Sequence, residues 1–238
     1  MKKLFALLLA IAVVGMAGCS GDTPQTDNND NNDGYGIVDR DRDSGAAYGD
    51  KKTENVDVEA VRDKVDIKAV PTLDGDVCAF ITNNSDVVID ELEVQVNYLG
   101  SNGQIIDLDT DGHDMILPGY TVVSRLDAPD DYDSLTTECE IGLEEHPSYE
   151  NHSEQVEVSS NEGDDCIIVQ IKNNSDVMID EIEYVVVLYN GDKVVSVSYE
   201  NDVMDVAAGK TVTEKVDTFR EQFDRFEVYL NQAHTFGL

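Results

Sequence analysis

Apolar and polar residues alternate along several short stretches of the chain, which is the pattern of half-buried β-strands. In the clearest stretch, Leu92 to Tyr98, every second residue is apolar and the residues between are polar. Short apolar runs such as Cys78 to Ile81 end at turn-forming residues, and Asn102-Gly103 and Pro118-Gly119 are further turns. This spacing predicts an all-β chain of short strands, arranged as a sandwich.

One stretch of the sequence occurs twice. Residues 83–93 read Asn-Asn-Ser-Asp-Val-Val-Ile-Asp-Glu-Leu-Glu, and residues 173–183 repeat them with two conservative changes. The same offset of 90 residues relates Pro118-Gly119 to Ala208-Gly209. A period of this length corresponds to a whole domain and is too long for a solenoid repeat. The sequence therefore predicts two tandem domains.

The order of strands and turns in each repeat is similar to that of the FxLYD family, small immunoglobulin-like domains of bacterial and archaeal lipoproteins. The Phe-x-Leu-Tyr-Asp signature of that family falls at Val186-Val187-Leu188-Tyr189-Asn190 in the second repeat. The first repeat reads Val96-Asn97-Tyr98-Leu99-Gly100 at the same place. The resemblance implies two tandem immunoglobulin-like β-sandwich domains, and it bears on fold more than on function.

The first 18 residues are typical of a targeting segment. Two lysines precede an apolar run, Leu4 to Val14, that is too short for a permanent membrane span. The run ends in Met16-Ala17-Gly18-Cys19, which resembles the lipobox of bacterial lipoproteins. The resemblance implies cleavage before Cys19, acylation of that cysteine and an extracytoplasmic protein attached to the cell membrane through lipid. Ser20 after the cysteine would allow delivery to the outer membrane in a double-membrane cell.

The segment that follows Cys19 is rich in Asp and Asn and is predicted to be a disordered tether. The whole chain has a formal net charge of −34, which disfavours nucleic acid and anionic lipid headgroups as partners. A solvated, self-repelling surface, adaptation to salt and capture of divalent cations would each explain this acidity. The predicted organisation is a lipoprotein signal peptide at 1–18, an acidic tether at 19–54 and two β-sandwich domains at 55–147 and 148–238.

Three cysteines remain besides the one assigned to lipid: Cys78, Cys139 and Cys166. Either one disulfide with a free thiol or three free thiols is compatible with the sequence. No cysteine has a histidine in a recognisable catalytic motif, and neither hydrolase, zinc-protease nor phosphate-loop signatures occur. The sequence therefore predicts a protein that is not an enzyme.

The stretch Asp107-Leu108-Asp109-Thr110-Asp111-Gly112 reproduces the opening of an EF-hand calcium loop. The loop should close with a glutamate at its twelfth position, but Pro118 stands there, and the second repeat lacks the pattern. Asp107, Asp109 and Asp111 are therefore candidate calcium ligands, and a solvated hairpin end is the alternative. No other cofactor is predicted.

One strand face differs between the repeats. The polar face of Glu93, Gln95 and Asn97 in the first repeat corresponds to an apolar face in the second, which contains Val185, Val187 and Tyr189. Such a face should be covered. Burial within a two-sided strand, packing between the domains and an interaction face for a partner are the three explanations.

Two classes of function remain. The first is a lipid-anchored cell-envelope protein whose β-sandwich modules bind or present, with an envelope protein or glycan as partner. The second is a passive structural or divalent-cation-binding surface protein. A solute receptor with two α/β lobes is disfavoured because no βαβ pattern occurs.

Overall fold

The computed structural model describes residues 56–144, 149–218 and 221–237. The first repeat begins with a single helical turn, which Asp57 caps by accepting a hydrogen bond from the Glu59 N–H at 3.2 Å. Its elements are α1 (Val58–Arg62), β1 (Val65–Pro71), β2 (Val77–Asn83), β3 (Ile89–Leu99), β4 (Ile105–Ile116), β5 (Thr121–Leu126) and β6 (Ser134–Gly142).

The second repeat follows the same order with two additional strands. A short strand precedes it, and the strand equivalent to β4 is divided into two. Its elements are β7 (Tyr149–Asn151), a 3₁₀ turn (Ser153–Gln155), β8 (Val156–Gly163), β9 (Cys166–Asn173), β10 (Ile179–Asn190), β11 (Lys193–Val197), β12 (Asn201–Val206), β13 (Thr211–Asp217) and β14 (Arg225–Phe236).

All strand pairs are antiparallel, and they form four sheets among the described residues. In the first repeat the sheets are β1-β2-β5 and β4-β3-β6. In the second they are β8-β9-β13 and β11-β10-β14-β7, with β12 also paired to β10. The prediction of an all-β sandwich fold is confirmed.

The two sheets of each repeat face each other across an apolar core. In the first repeat, Ile81 and Val122 from one sheet pack in the same cluster as Leu92 and Val94 from the other. The core of the second repeat is built from equivalent strands. Its largest fully buried members are Ile167, Ile171, Ile179, Ile182 and Tyr184. Alternate strand residues enter the core, so a shift of one residue in the pairing would turn the apolar side chains away from it. The alternation in the sequence therefore fixes the register of each strand against its neighbour.

The duplicated Asn-Asn-Ser motif holds a turn in place through buried hydrogen bonds. Asn83 is completely buried, and its Nδ2 donates to the carbonyl oxygens of Val87 and Ile116, both at 2.9 Å. Its Oδ1 accepts from the N–H and the hydroxyl of Ser85. Asn173 makes the same bonds to the residues 90 positions further on, with donor–acceptor distances of 2.6 to 2.8 Å. The repeated motif is therefore explained by the fold.

The strand after the first hairpin is longer than the sequence predicts. The apolar run predicts a strand only at Gln104 to Ile106, but β4 continues to Ile116 because its backbone pairs along nearly the whole of β3. In the second repeat the apolar residues from Val194 predict a strand to Tyr199, but β11 ends at Val197. Beyond that end, the Ser198 side chain replaces a backbone acceptor, because its Oγ accepts a hydrogen bond from the Val186 N–H at 2.9 Å.

Residues 52–238 form one compact unit. The predicted signal peptide at 1–18, the tether at 19–54 and the domain boundary at 147–148 lie outside the described residues. In the part of the chain that the structure describes, no helix is long and apolar enough to cross a membrane.

Candidate ligand groove between the two repeats

The two repeats contact each other through an apolar seam. Strand β2 alternates so that Val77, Ala79 and Ile81 face its own sandwich core, whereas Cys78 faces the second repeat. Cys78 and Val123 pack in one cluster with Val185, Val187 and Val197. Removal of these side chains from water stabilises the association of the repeats.

The seam accounts for the apolar face predicted on the second repeat. Val185, Val187 and Tyr189 are only 1%, 0% and 7% exposed. Their position agrees with packing between the repeats, one of the three explanations. The first repeat occupies the face that a partner would need, so these residues do not form an accessible interaction face. Of these three residues, Tyr189 alone also lines the groove described below.

Polar contacts also cross the seam. The amide side chain of Asn231 in β14 bonds to both backbone groups of Val123 in β5. Arg125 Nη1 donates to the carbonyl oxygen of Val197 at 3.2 Å, and its guanidinium lies 4.1 Å from the centroid of the Tyr199 ring. The Leu73 N–H donates to carbonyl oxygens of β11 at 3.1 Å. These bonds fix the orientation of one repeat on the other.

A groove of about 810 Å³ opens where the seam reaches the surface. Strands β1 and β2, and the turn that joins them, form one wall, which contains Lys68, Val70 and Phe80. The opposite wall comes from the second repeat. It contains Tyr189, Asp192, Lys193, Arg225, Glu227 and Tyr229. Neither repeat forms this groove alone.

The groove concentrates the few cations of an acidic chain. The described residues include nine lysines and arginines, and three of them line it: Lys68, Lys193 and Arg225. Among the described residues, no carboxylate lies within 4 Å of the ammonium group of Lys68 or Lys193. Both are exposed. Two lysines without an ion pair therefore line the groove, one from each wall.

A hydrogen-bonded network holds the floor of the groove. The hydroxyl groups of Tyr189 and Tyr229 both donate to Glu227 Oε2, and Arg225 pairs with the other oxygen of that carboxylate. The Arg225 guanidinium also lies 3.7 Å from the centroid of the Tyr189 ring. Burial is the main cause that raises the pKa of Tyr229 above its usual value. The hydrogen bond to Glu227 and the negative charge of that carboxylate raise it further. Glu227 is thus fixed as a hydrogen-bond acceptor, and Phe80 packs edge-on against Tyr229.

A second carboxylate lies in the seam away from the groove. Glu183 accepts hydrogen bonds from Asn231 Nδ2 at 2.9 Å and from Gln232 Nε2 at 3.0 Å. Burial raises the pKa of Glu183 to about 7, and the negative charges of Glu200 and Asp202 add to this effect. The protonation of Glu183 therefore changes near neutral pH.

A second cavity, of about 480 Å³, lies at the open side of the second sandwich. Arg125 lines it, but Asp76 already neutralises this guanidinium, with Oδ2 2.7 Å from Nε. Asp74, Asp217 and Glu221 add three carboxylates to its lining. Lys215, which has no ion pair among the described residues, also lines it, but these three carboxylates outnumber its single free ammonium group. This cavity is therefore the weaker candidate for an anionic ligand.

The predicted calcium ligands lie on a strand. Asp107, Asp109 and Asp111 are in β4, where each Oδ1 accepts from the N–H of the next residue at 2.9 to 3.0 Å. The turn of an EF-hand loop is absent, because β4 is extended and paired with β3 through this stretch. No group of three ligating side chains that could hold a metal occurs within residues 56–144, 149–218 and 221–237.

The cysteines and a Ser–His contact do not form a nucleophilic site. Cys78, Cys139 and Cys166 are free thiols, and burial raises the pKa of Cys78 to about 12, which disfavours its thiolate. Ser124 Oγ lies 2.7 Å from His113 Nε2, but Ser124 is 1% exposed. The nearby carboxylate of Asp111 approaches that same Nε2, at 3.6 Å, whereas a catalytic triad needs it on Nδ1.

Comparisons with known proteins add little. No family model matches the chain, and no curated protein matches it. Among solved structures, the chain is similar to the transglutaminase of red sea bream, with 11% identity and a TM-score of 0.19, over 74% of this chain and 31% of that chain. A TM-score this low carries no argument about fold or function. The resemblance to the FxLYD family remains a prediction.

The sequence did not indicate the groove. Its two free lysines stand 125 positions apart, on strands of different repeats, and neither belongs to a motif. The apolar substitution at Val185 and Val187 was the available signal, because it marks the face where the repeats meet and hence the seam that creates the groove.

Proposed function

We propose that this chain is a lipid-anchored cell-envelope protein that binds a ligand, without catalysis, in the groove formed by its two packed repeats. The observation that carries the proposal is that two exposed lysines without an ion pair, Lys68 and Lys193, line one groove from opposite walls. A chain with a net charge of −34 gains nothing in solubility from clustering its cations. A ligand that pairs with them would account for their position.

The envelope location is supported by the sequence. The lipobox-like Met16-Ala17-Gly18-Cys19 and the acidic segment behind it would place the repeats outside the cell at a distance from the membrane. Acylation of Cys19 is testable by feeding cells a labelled fatty acid. The wild-type chain should take up the label and sediment with membranes, and the Cys19→Ala variant should do neither. Equal labelling of both would contradict a lipid anchor at this residue.

The binding function is tested on delipidated envelope material. The full chain is solubilised in detergent and sedimented with the envelope fraction, together with a Lys68→Gln/Lys193→Gln variant. Lys172→Gln/Lys210→Gln is the matched control, because both of these lysines are exposed and do not line the groove. Wild type and control should be retained, and the groove variant should be lost. Equal retention of all three would contradict binding through the groove.

A passive or cation-binding surface protein is the second candidate, favoured by the net charge alone. In that case calcium and magnesium should raise the melting temperature by screening, to a similar degree. Replacement of Lys68 and Lys193 should then have no effect on retention.

A further inference from the structure

We propose that the groove binds an acidic saccharide, with Lys68 and Lys193 pairing with sugar carboxylates and Glu227 and Asp192 accepting hydrogen bonds from sugar hydroxyls. This inference rests on the proposed function and specifies its ligand. Three features of the groove carry it: the free cations, the carboxylate acceptors among them and the aromatic contact between the two walls.

The cations indicate an anionic ligand with more than one charge. Lys68 is on β1 of the first repeat and Lys193 on β11 of the second, so a ligand that reaches both must span the groove. A lysine ammonium binds carboxylate or phosphate as a point charge without a required geometry. Arg225 differs, because the Glu227 carboxylate and the Tyr189 ring already hold it in place.

The carboxylates disfavour a ligand that offers only negative charge. Asp192 has no ion pair among the described residues and lies among the cations, so it would repel a phosphate group or an acidic peptide that offers it no hydrogen-bond donor. A carboxylate is an acceptor with several lone pairs, and it binds groups that donate. Sugar hydroxyls donate, and uronic acids carry both hydroxyls and a carboxylate. An acidic saccharide therefore satisfies both charge signs in the groove.

Aromatic residues from both walls supply an apolar contact for a sugar ring. Phe80 and Tyr229 are both partly exposed, and their rings meet edge-on with centroids 5.6 Å apart. Val70 and Pro71 continue the apolar surface. Sites of this kind combine aromatic and aliphatic surface with a few placed polar groups, and the volume of about 810 Å³ is in the range of small-ligand sites.

The test is a calorimetric titration of the full chain, solubilised in detergent, with the trimer of galacturonic acid as probe. The methyl-esterified trimer is the matched neutral probe, since it keeps the hydroxyls and ring faces and loses the charges. We expect the acid to bind and the ester to bind at least about tenfold more weakly. Lys68→Gln and Lys193→Gln should each reduce affinity for the acid by about tenfold, and Lys172→Gln should leave it unchanged.

Two results would overturn the inference. The first is equal binding of the acid and the ester, or binding of neither. The second is lysine-dependent binding of inorganic phosphate or a hexaglutamate peptide in preference to the saccharide, which would leave the proposed binding function intact with a different ligand class. Loss of envelope retention in the groove variant, with no binding of the trimer, separates failure of this inference from failure of the proposed function. Thermal unfolding of each variant confirms that the fold is unchanged.

Discussion

The side chain of Asn231 takes the place of a neighbouring strand for Val123. The Val123 N–H donates to Asn231 Oδ1 at 2.9 Å, and Asn231 Nδ2 donates to the Val123 carbonyl at 3.0 Å. Val123 is in β5, an edge strand of its sheet, so these backbone groups point away from β2. Without Asn231, both would be buried in the seam without a partner. One amide side chain thus satisfies the sheet edge and fixes the second repeat against it.

Replacement of Asn231 should destabilise the whole unit. We expect Asn231→Leu to lower the free energy of unfolding by about 2 to 4 kcal/mol, because two buried backbone groups lose their partners. Urea unfolding measures this, with Gln170→Leu on an exposed position of β9 as control. A loss no larger than that of the control would show that the bond pair does not hold the seam.

Asn83 and Asn173 should contribute equally to the stability of the protein. Asn83→Ala and Asn173→Ala should each cost about 2 to 4 kcal/mol of unfolding free energy, since buried carbonyl oxygens are left unpaired. The exposed neighbours provide matched controls, and Asn84→Ala and Asn174→Ala should change stability by no more than about 0.5 kcal/mol. If Asn83→Ala were as stable as Asn84→Ala, or Asn173→Ala as stable as Asn174→Ala, the fold would not explain the repeated motif.

Glu183 should make the protein less stable as the pH rises, which is the opposite of the usual effect of a carboxyl group. Its folded-state pKa of about 7 lies above the usual 4.5, so the folded state binds the proton more tightly. The contribution is fully present below about pH 4.5 and is lost as the pH rises through about 7. The loss is about 3 kcal/mol.

The measurement is urea unfolding at several pH values between 4.5 and 8, for wild type and Glu183→Gln. The variant should lack this part of the fall in stability, whereas Glu162→Gln, at an exposed position, should match wild type. Parallel curves for wild type and Glu183→Gln would contradict the raised pKa.

Cys78 should be unreactive in the folded protein. Burial raises its pKa to about 12 and covers the thiol with the second repeat, so little thiolate forms at pH 8. In a Cys19→Ala/Cys139→Ser/Cys166→Ser variant, a thiol reagent should label Cys78 only as fast as the protein opens, and at once in urea. Rapid labelling of the folded variant would mean that the seam is open.

Much of the fold could be predicted from local pattern. The alternation around Val94 and the turn at Asn102-Gly103 identified β3 and its hairpin, because half-buried strands and tight turns leave a local signature. Strand β12 left none: Asn201 to Val206 contains two aspartates, and Asp205 has a left-handed backbone with φ of 57°. It is a strand because it pairs with β10, a contact that sequence periodicity does not encode.

The candidate site was harder to predict for the same reason. Val187 could be recognised as covered, but the surface covering it, at Cys78 and Val123, belongs to the other repeat. The three aspartates from Asp107 to Asp111 have the spacing of a calcium loop, yet pairing along β3 keeps them extended. Spacing along the chain predicts a loop site only where the chain turns.

Hydrogen exchange at the seam tests most directly whether the two repeats form one packed unit. The amides of Val123, Leu73 and Asp74 donate to acceptors in the second repeat. In the full chain these three amides should exchange slowly, together with the core amides of β3 and β10. Exchange at the rate of an unprotected loop, while β3 and β10 remain protected, would show that the repeats separate and would remove the groove.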